Sequence, residues 1–351
     1  MMNNFEIFKS LCDASGVSSG ELRVSAILKK ELTKILAFAE IDKMGNLTGK
    51  NRKEADILLV AHMDEIGLMA KNISDTGFIE FEKMGGIIDH YLPAQRVVVH
   101  GKKDIRGVIA LKIDPELTRE KLKEKVLKQS DLYIDTGLSK KELSALEVFP
   151  GTLISFDQQL QNENGILFGK AFDDRAGCFV ALEVLRRVGK KANLSVLFTT
   201  QEEVGLKGAQ TAIHSLNPKL AIEIEITSTS DIPNMWGKPI PISIGKGPVV
   251  TIADGAEGLT RGFIAPQWLV KKIQKIRNPD KLQWRIAVGG TSDASVVQLE
   301  KKGIPTISFA VPMRYPHTAV GLVKMSDIEA TIDFVEEVIL VLTKDGTLKN
   351  I

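Results

Sequence analysis

The sequence predicts an α/β fold, a mostly parallel mixed sheet covered by helices on both faces and interrupted by a small β-rich, barrel-like insert. Three observations predict it. Short unbroken apolar runs such as Ile57-Leu58-Leu59-Val60-Ala61 have the pattern of strands buried on both sides. From Gly169 onward such runs alternate with segments of helical period. Between residues 68 and 164 that rhythm gives way to short β-type runs punctuated by Gly, Pro and Asp.

Residues 21–38 place Leu22, Val24, Ile27, Leu28, Leu32, Ile35 and Leu36 at helical spacing, which predicts an amphipathic helix. The buried strand 57–61 follows and ends in the polar cluster His62-Met63-Asp64-Glu65. Within the insert, 78–81, 96–99 and 107–111 read as strands, 116–128 as a mostly charged stretch and 139–146 as a short helix. Beyond it the order is helix 175–188, strand 194–200, helix 207–215 and strand 221–227. Helix 266–276, strand 282–288, helix 292–302, strand 304–309 and a long helix 326–343 complete the chain. Residues 1–67 and 165–351 therefore form one α/β domain, with 68–164 inserted into it.

The composition bounds the function classes. With 351 residues, 44% hydrophobic and 26% charged, the chain is of ordinary globular type. A formal net charge of +2, with acids and bases interspersed, gives no electrostatic case for a nucleic-acid or membrane partner. No apolar run is long enough to span a bilayer, and Met1-Met2-Asn3-Asn4-Phe5-Glu6 lacks the basic start and apolar stretch of a secretory signal. Only Cys12 and Cys178 are present, both in apolar surroundings, so the expectation is a cytoplasmic protein without disulfides.

Chemistry enters at the strand ends. In open α/β sheets ligands bind at the carboxyl ends of strands. His62 and Asp64 lie just past one strand, Glu202 and Glu203 past another, and Glu225 near the end of a third. His317 follows the last apolar strand after the loop Pro312-Met313-Arg314-Tyr315-Pro316. Each piece alone has a plainer explanation. Asp173-Asp174 before a helix serves as a cap, Glu202-Glu203 as solvated loop charge, and a loop histidine as a hydrogen-bonding group. Asp293 fits a helix start. Glu223, on the same strand face as Glu225, competes with it as a ligand. The convergence of imidazoles and carboxylates on one sheet edge is what points to a hydrolytic metal centre. Nitrogen and oxygen donors without thiolates suit zinc, manganese or cobalt.

At these residues the chain resembles a known family. Ala61-His62-Met63-Asp64-Glu65-Ile66-Gly67, Ala171-Phe172-Asp173-Asp174-Arg175-Ala176-Gly177 and Thr199-Thr200-Gln201-Glu202-Glu203-Val204-Gly205 are similar to motifs of the dinuclear-metal aminopeptidases. That family includes the glutamyl and deblocking aminopeptidases and the tetrahedral-shell (TET) peptidases. Gly289-Gly290-Thr291-Ser292-Asp293, Arg314-Tyr315-Pro316-His317 and the opening segment Leu11 to Ser19 extend the likeness to nearly the whole chain.

The resemblance implies a zinc-exopeptidase-like fold and an insert that serves in dimerisation. It implies two divalent metal ions per subunit, zinc foremost, with cobalt or manganese as alternatives. His62 and Glu225 would hold one ion, Glu203 and His317 the other, and Asp173 would bridge. Asp64 would orient His62, Glu202 would act as general base, and Gly290, Thr291 and Asp293 would face the substrate. Peptides are the implied substrates, and self-association to dimers and a dodecamer the implied assembly. Alternatives are a related dinuclear amidohydrolase or a catalytically impaired scaffold. Two positions depart from the family pattern. Glu225 stands where the family has Asp, and Thr318-Ala319-Val320-Gly321 replaces Ser-Pro-Val-Glu. The loops expected to shape the substrate pocket are 229–262 and 289–293.

Overall fold

The computed structural model describes residues 4–52, 54–112, 126–233 and 242–349. Its centre is an eight-stranded mixed sheet in the order β1-β2-β12-β3-β13-β16-β14-β15. The strands are β1 (Phe38–Ile41), β2 (Leu47–Lys50), β3 (Ile57–His62), β12 (Leu194–Thr199), β13 (Leu220–Ser228), β14 (Val249–Ala253), β15 (Gln283–Ile286) and β16 (Thr306–Met313). The four middle strands, β12, β3, β13 and β16, run parallel, so their carboxyl ends share one edge.

β3 shows why an unbroken apolar run was needed. Ile57, Leu59 and Ala61 enter the larger core, whereas Leu58 and Val60 enter a second core on the opposite face. The larger core contains helices α1 (Asn4–Asp13), α2 (Leu22–Leu32), α4 (Phe172–Val188), α6 (Gln267–Ile276) and α8 (Met325–Lys344). Ala212 of α5 (Lys207–Ala212) and Val297 of α7 (Ala294–Val297) belong to the other.

The insert is a closed barrel in the order β4-β5-β8-β7-β6-β9, with its own apolar core. Its strands are β4 (Gly67–Ile73), β5 (Ile79–Met84), β6 (Arg96–His100), β7 (Asp104–Leu111), β8 (Leu132–Asp135) and β9 (Leu153–Phe156), and α3 (Lys140–Ala145) caps it. Closure removes the exposed edges that a small antiparallel sheet would otherwise present. A three-stranded sheet of β10 (Gln161–Glu163), β11 (Ile166–Gly169) and β17 (Gly321–Lys324) completes the fold.

Several expected boundaries move. The helix expected over 21–38 ends at Leu32, and Phe38–Ile41 is the edge strand β1, since Leu36 is buried against the core without continuing the helix. The helix expected over 292–302 is helical only at Ala294–Val297. Strand 304–309 extends to Met313, which brings the His317 loop directly onto the sheet edge. Most of the charged stretch 116–128 and part of the 229–262 loop lie outside the described residues. Among the described residues, no helix is long and apolar enough to cross a membrane.

Candidate metal centre

The site forms where the parallel strands end. His62 closes β3, and its backbone N–H donates to Asp174 Oδ2 at 3.3 Å while Cys178 Sγ donates to its carbonyl at 3.1 Å. The His62 backbone is thus anchored to the first turns of α4. Asp173 and Asp174 divide the two roles that the sequence left open for them. Asp174 Oδ1 accepts from Gly177 N at 2.9 Å, a helix-start bond. Asp173 turns the other way, to the imidazoles. The peptide bond between them is cis, and both residues depart from helical geometry.

Asp173 stands between two groups. Its Oδ1 lies 2.9 Å from His62 Nε2, and Glu225 Oε1 lies 3.8 Å from the same nitrogen. Its Oδ2 lies 3.5 Å from His317 Nε2, which is 3.4 Å from Glu203 Oε2. His62, Asp173 and Glu225 make one cluster able to hold an ion, and Asp173, Glu203 and His317 make another. Glu223 is directed elsewhere: its carboxylate accepts from Ala294 N at 2.6 Å and Ser292 Oγ at 3.0 Å.

Asp64 sits beneath the turn that follows β12. Its Oδ1 accepts from Glu202 N at 2.9 Å, and its Oδ2 from Glu203 N at 3.2 Å and Ser18 Oγ at 2.6 Å. The same Oδ1 faces His62 Nδ1 at 3.4 Å, and that nitrogen makes no hydrogen bond. Asp64 therefore holds the Glu202-Glu203 turn at least as firmly as it faces the imidazole. Gln201, with φ +55°, begins that turn, and Glu21 Oε1 accepts from its N–H at 3.2 Å.

The electrostatics call for cations. Burial, and then the charges of neighbouring acids, push the Glu202 and Glu225 carboxyls well above the usual range. The same causes raise Glu203 to about 8. Burial alone would lower His62, yet the facing carboxylates of Glu225, Asp173, Asp64 and Glu202 outweigh it and shift the ring well above its ordinary value. Burial also works to raise Asp173, but the two imidazoles overcome it and keep that carboxyl below its ordinary range. Carboxylates buried against one another without balancing charge are costly, and divalent ions remove that cost. The donor set of two imidazoles and three carboxylates fits such ions.

The clusters lie in the wall of a cavity of about 600 Å³. Gly290 and Thr291 also line it, and Thr291 Oγ1 is buried without a partner. Asp293 does not act as a side-chain cap for α7. Instead its Oδ2 accepts from Thr199 Oγ1 at 2.5 Å, while Oδ1 is buried unpartnered. Gly321, at the Glu position of the family pattern, begins β17 paired with Gly169 and is buried. A Cβ there would meet the tip of Met313 at 2.1 Å.

Some wall residues gave no signal in the sequence. Arg285 lines the cavity and donates to Thr227 Oγ1, Asp254 shares Ser292 Oγ with Glu223, and the barrel contributes Gly86, Ile88 and Tyr91. None of them lies in a recognisable motif, and only the fold brings them to the strand ends.

A mixed-sheet hydrolase with two clusters able to hold cations at the ends of its parallel strands, and a barrel inserted beside them, is the class that this architecture defines. Comparison with known proteins gives the family. The M42 glutamyl aminopeptidase profile matches residues 44–334, and the chain belongs to that family of peptide hydrolases. It is 32% identical over 340 residues to a putative aminopeptidase of Acetivibrio thermocellus, covering 95% of this chain and 98% of that one. A TET aminopeptidase from a marine-sediment Thaumarchaeota archaeon superposes with TM-score 0.89 at 30% identity, over 99% of this chain and 98% of the other. The TET1 peptidase of Pyrococcus horikoshii superposes with TM-score 0.81 at 30% identity, over 96% and 99% of the two chains. That protein can assemble into a tetrahedron or a large octahedral shell.

Proposed function

We propose that this aminopeptidase works with two divalent cations per subunit, zinc foremost and cobalt or manganese as substitutes. One is held by His62, Asp173 and Glu225, the other by Asp173, Glu203 and His317. The observation that carries the reading is the placement of the two Asp173 oxygens, each facing a different imidazole. Ions bound there would polarise the scissile carbonyl and acidify a water molecule. Glu202, held by the Asp64 bond to its backbone, accepts a proton as the water oxygen attacks the carbonyl carbon. It returns that proton to the departing amine as the C–N bond breaks. Gly290 and Thr291 stand on the substrate side, Asp293 being buried outside the cavity wall, and the Thr291 hydroxyl is free to bond a bound peptide.

Glu202→Gln tests the base. Turnover is expected to fall by about 10²–10⁴-fold with metal content and folding unchanged. A variant as fast as wild type would show that the base lies elsewhere. A panel of aminoacyl amides with a blocked-amine control separates an aminopeptidase, which needs the free amine, from an amidohydrolase that cleaves both. Glu202 lies outside both ligand clusters, and a scaffold protein has no use for it there.

The insert, residues 68–164, serves as the dimerisation domain in this reading, with larger closed assemblies built from the dimers. Support comes from the structural likeness to a shell-forming peptidase. A cytoplasmic location fits the two free, buried cysteines.

A further inference from the structure

The barrel reaches the candidate metal centre at the Gly85-Gly86 turn after β5. A Cβ on Gly86 would lie 2.7 Å from His317 Nδ1 and 3.1 Å from its Cε1. A Cβ on Gly85 would lie 2.8 Å from Glu203 Oε2. Two consecutive glycines of the insert therefore approach two candidate ligands of the same ion more closely than any other residue type permits. We propose that Gly86 is a positioning residue, whose missing side chain sets where the His317 imidazole stands and so governs occupancy of the cation site shared by Asp173, Glu203 and His317. The inference rests on the assignment of those three residues as ligands.

Which partner would yield to an added methyl follows from how each is held. The turn is braced from several sides. Ile87 N donates to Gly85 O at 3.0 Å, and Lys83 Nζ donates to Ile87 O at 2.8 Å and to Asp89 Oδ1 at 2.5 Å. Gln129 N, from across the barrel, donates to Asp89 Oδ2 at 3.0 Å. His317 is on a loop, its side chain 41% exposed, with left-handed φ at both Tyr315 and His317. The imidazole is the freer partner and moves, opening its contacts with Asp173 and Glu203. Gly86 is the cleaner of the two positions. Its φ is ordinary for any residue, whereas Gly85 has φ +87°, where a side chain is strained whatever its surroundings.

Among the described residues, no barrel glycine approaches the His62 side of the centre in this way. His62 is seated on α4 and β3, and Glu225 on β13, so a methyl on Gly86 leaves that site intact. The expected phenotype is selective: one ion lost, one retained.

The experiment measures ions per subunit, and the affinity of each by titration of zinc into chelator-stripped protein. It compares wild type, Gly86→Ala, His317→Ala and the double variant, with circular dichroism and thermal melting to verify folding. Wild type is expected to hold two ions. Gly86→Ala should weaken one by about 10–100-fold, as changes to residues that orient ligands do. In the His317→Ala background, Gly86→Ala should have no further effect, because the residue acts through that imidazole. Effects of the two substitutions that add would overturn the proposal and make Gly86 a general support of the fold. So would a Gly86→Ala protein with two tight ions beside a His317→Ala protein that has lost one. If His317→Ala keeps both ions, the ligand assignment itself is wrong, a result distinct from the failure of Gly86. Should Gly86→Ala not fold, Gly86→Ser in the His317→Ala background gives the same reading, and misfolding there too would overturn the proposal.

Discussion

At the scale of single residues, a second group of buried charges lies behind the site. Lys170 Nζ donates to both oxygens of Glu65, at 2.7 and 2.8 Å, and Gly16 N adds a third bond to that carboxylate at 2.9 Å. Arg175, fully buried, lies 3.6 Å from Glu65 and donates to the carbonyls of Met63, Leu11 and Ala14. One acid thus balances two buried cations and ties the N-terminal segment to the end of β3 and the start of α4. Substituting Glu65 with Leu strands both cations, and a loss of about 3–5 kcal/mol in unfolding free energy is expected. Urea denaturation measures it. A change within experimental error would mean that Arg175 and Lys170 find other partners or water.

At the scale of elements, a polar chain joins α2 to the barrel. Arg23 makes two bonds of 2.9 Å to Asp104 on β7, and Asp104 Oδ1 lies 2.9 Å from His100 Nδ1 on β6. His100 Nε2 reaches Ser155 Oγ on β9 at 2.9 Å, and Ser155 meets Ser15 at 3.1 Å. The Arg23 bonds, outweighing partial burial and helped by His100, lower the Asp104 carboxyl to about 2. A depressed folded-state pKa gives stability that is present above the unfolded value near 4 and lost as pH falls toward 2. The stability gap between wild type and Arg23→Ala should therefore be constant above about pH 4 and close toward pH 2. The pair is half exposed, so the gap itself is small and salt-sensitive. A gap independent of pH across that window would remove Asp104 from the account.

This scale also marks what the sequence could and could not reveal. β3, β12 and β13 were readable because strands buried on both faces leave unbroken apolar runs, and α8 because twenty residues of helical period are hard to mistake. β1, β2 and β14 were not, since short strands of alternating burial leave too few residues for a period to show. His62, Asp173, Glu203, Glu225 and His317, which the structure brings into two clusters, stood out in the sequence because imidazoles, carboxylates and motif coincide near strand ends. Gly86, Ile88, Tyr91 and Arg285 were not, because their relation to the cavity exists only once the barrel is docked and the sheet assembled.

At the scale of the whole molecule, the barrel contributes a wall to the cavity, and under the proposed function it also makes the contact between subunits. Light scattering of the full chain should give a mass that is a multiple of the single subunit. On dilution to the dissociated state, amide hydrogen exchange should rise in strands 67–156 while the central sheet stays protected. A single-chain mass at every concentration would rule out assembly, and exchange rising elsewhere would move the contact off the barrel.

The order in which the clustered groups occur along the chain has a consequence for biosynthesis. They begin at His62 and end at His317, and between them come the barrel, α4 and most of the sheet. A chain still emerging from the ribosome carries the first cluster long before it carries the last imidazole. Under the proposed function, the cluster of Asp173, Glu203 and His317 stays incomplete until residue 317 has been made, and a product truncated before it is expected to lack that cation site. On that reading, peptidase activity is withheld from copies of the chain that are still unfinished.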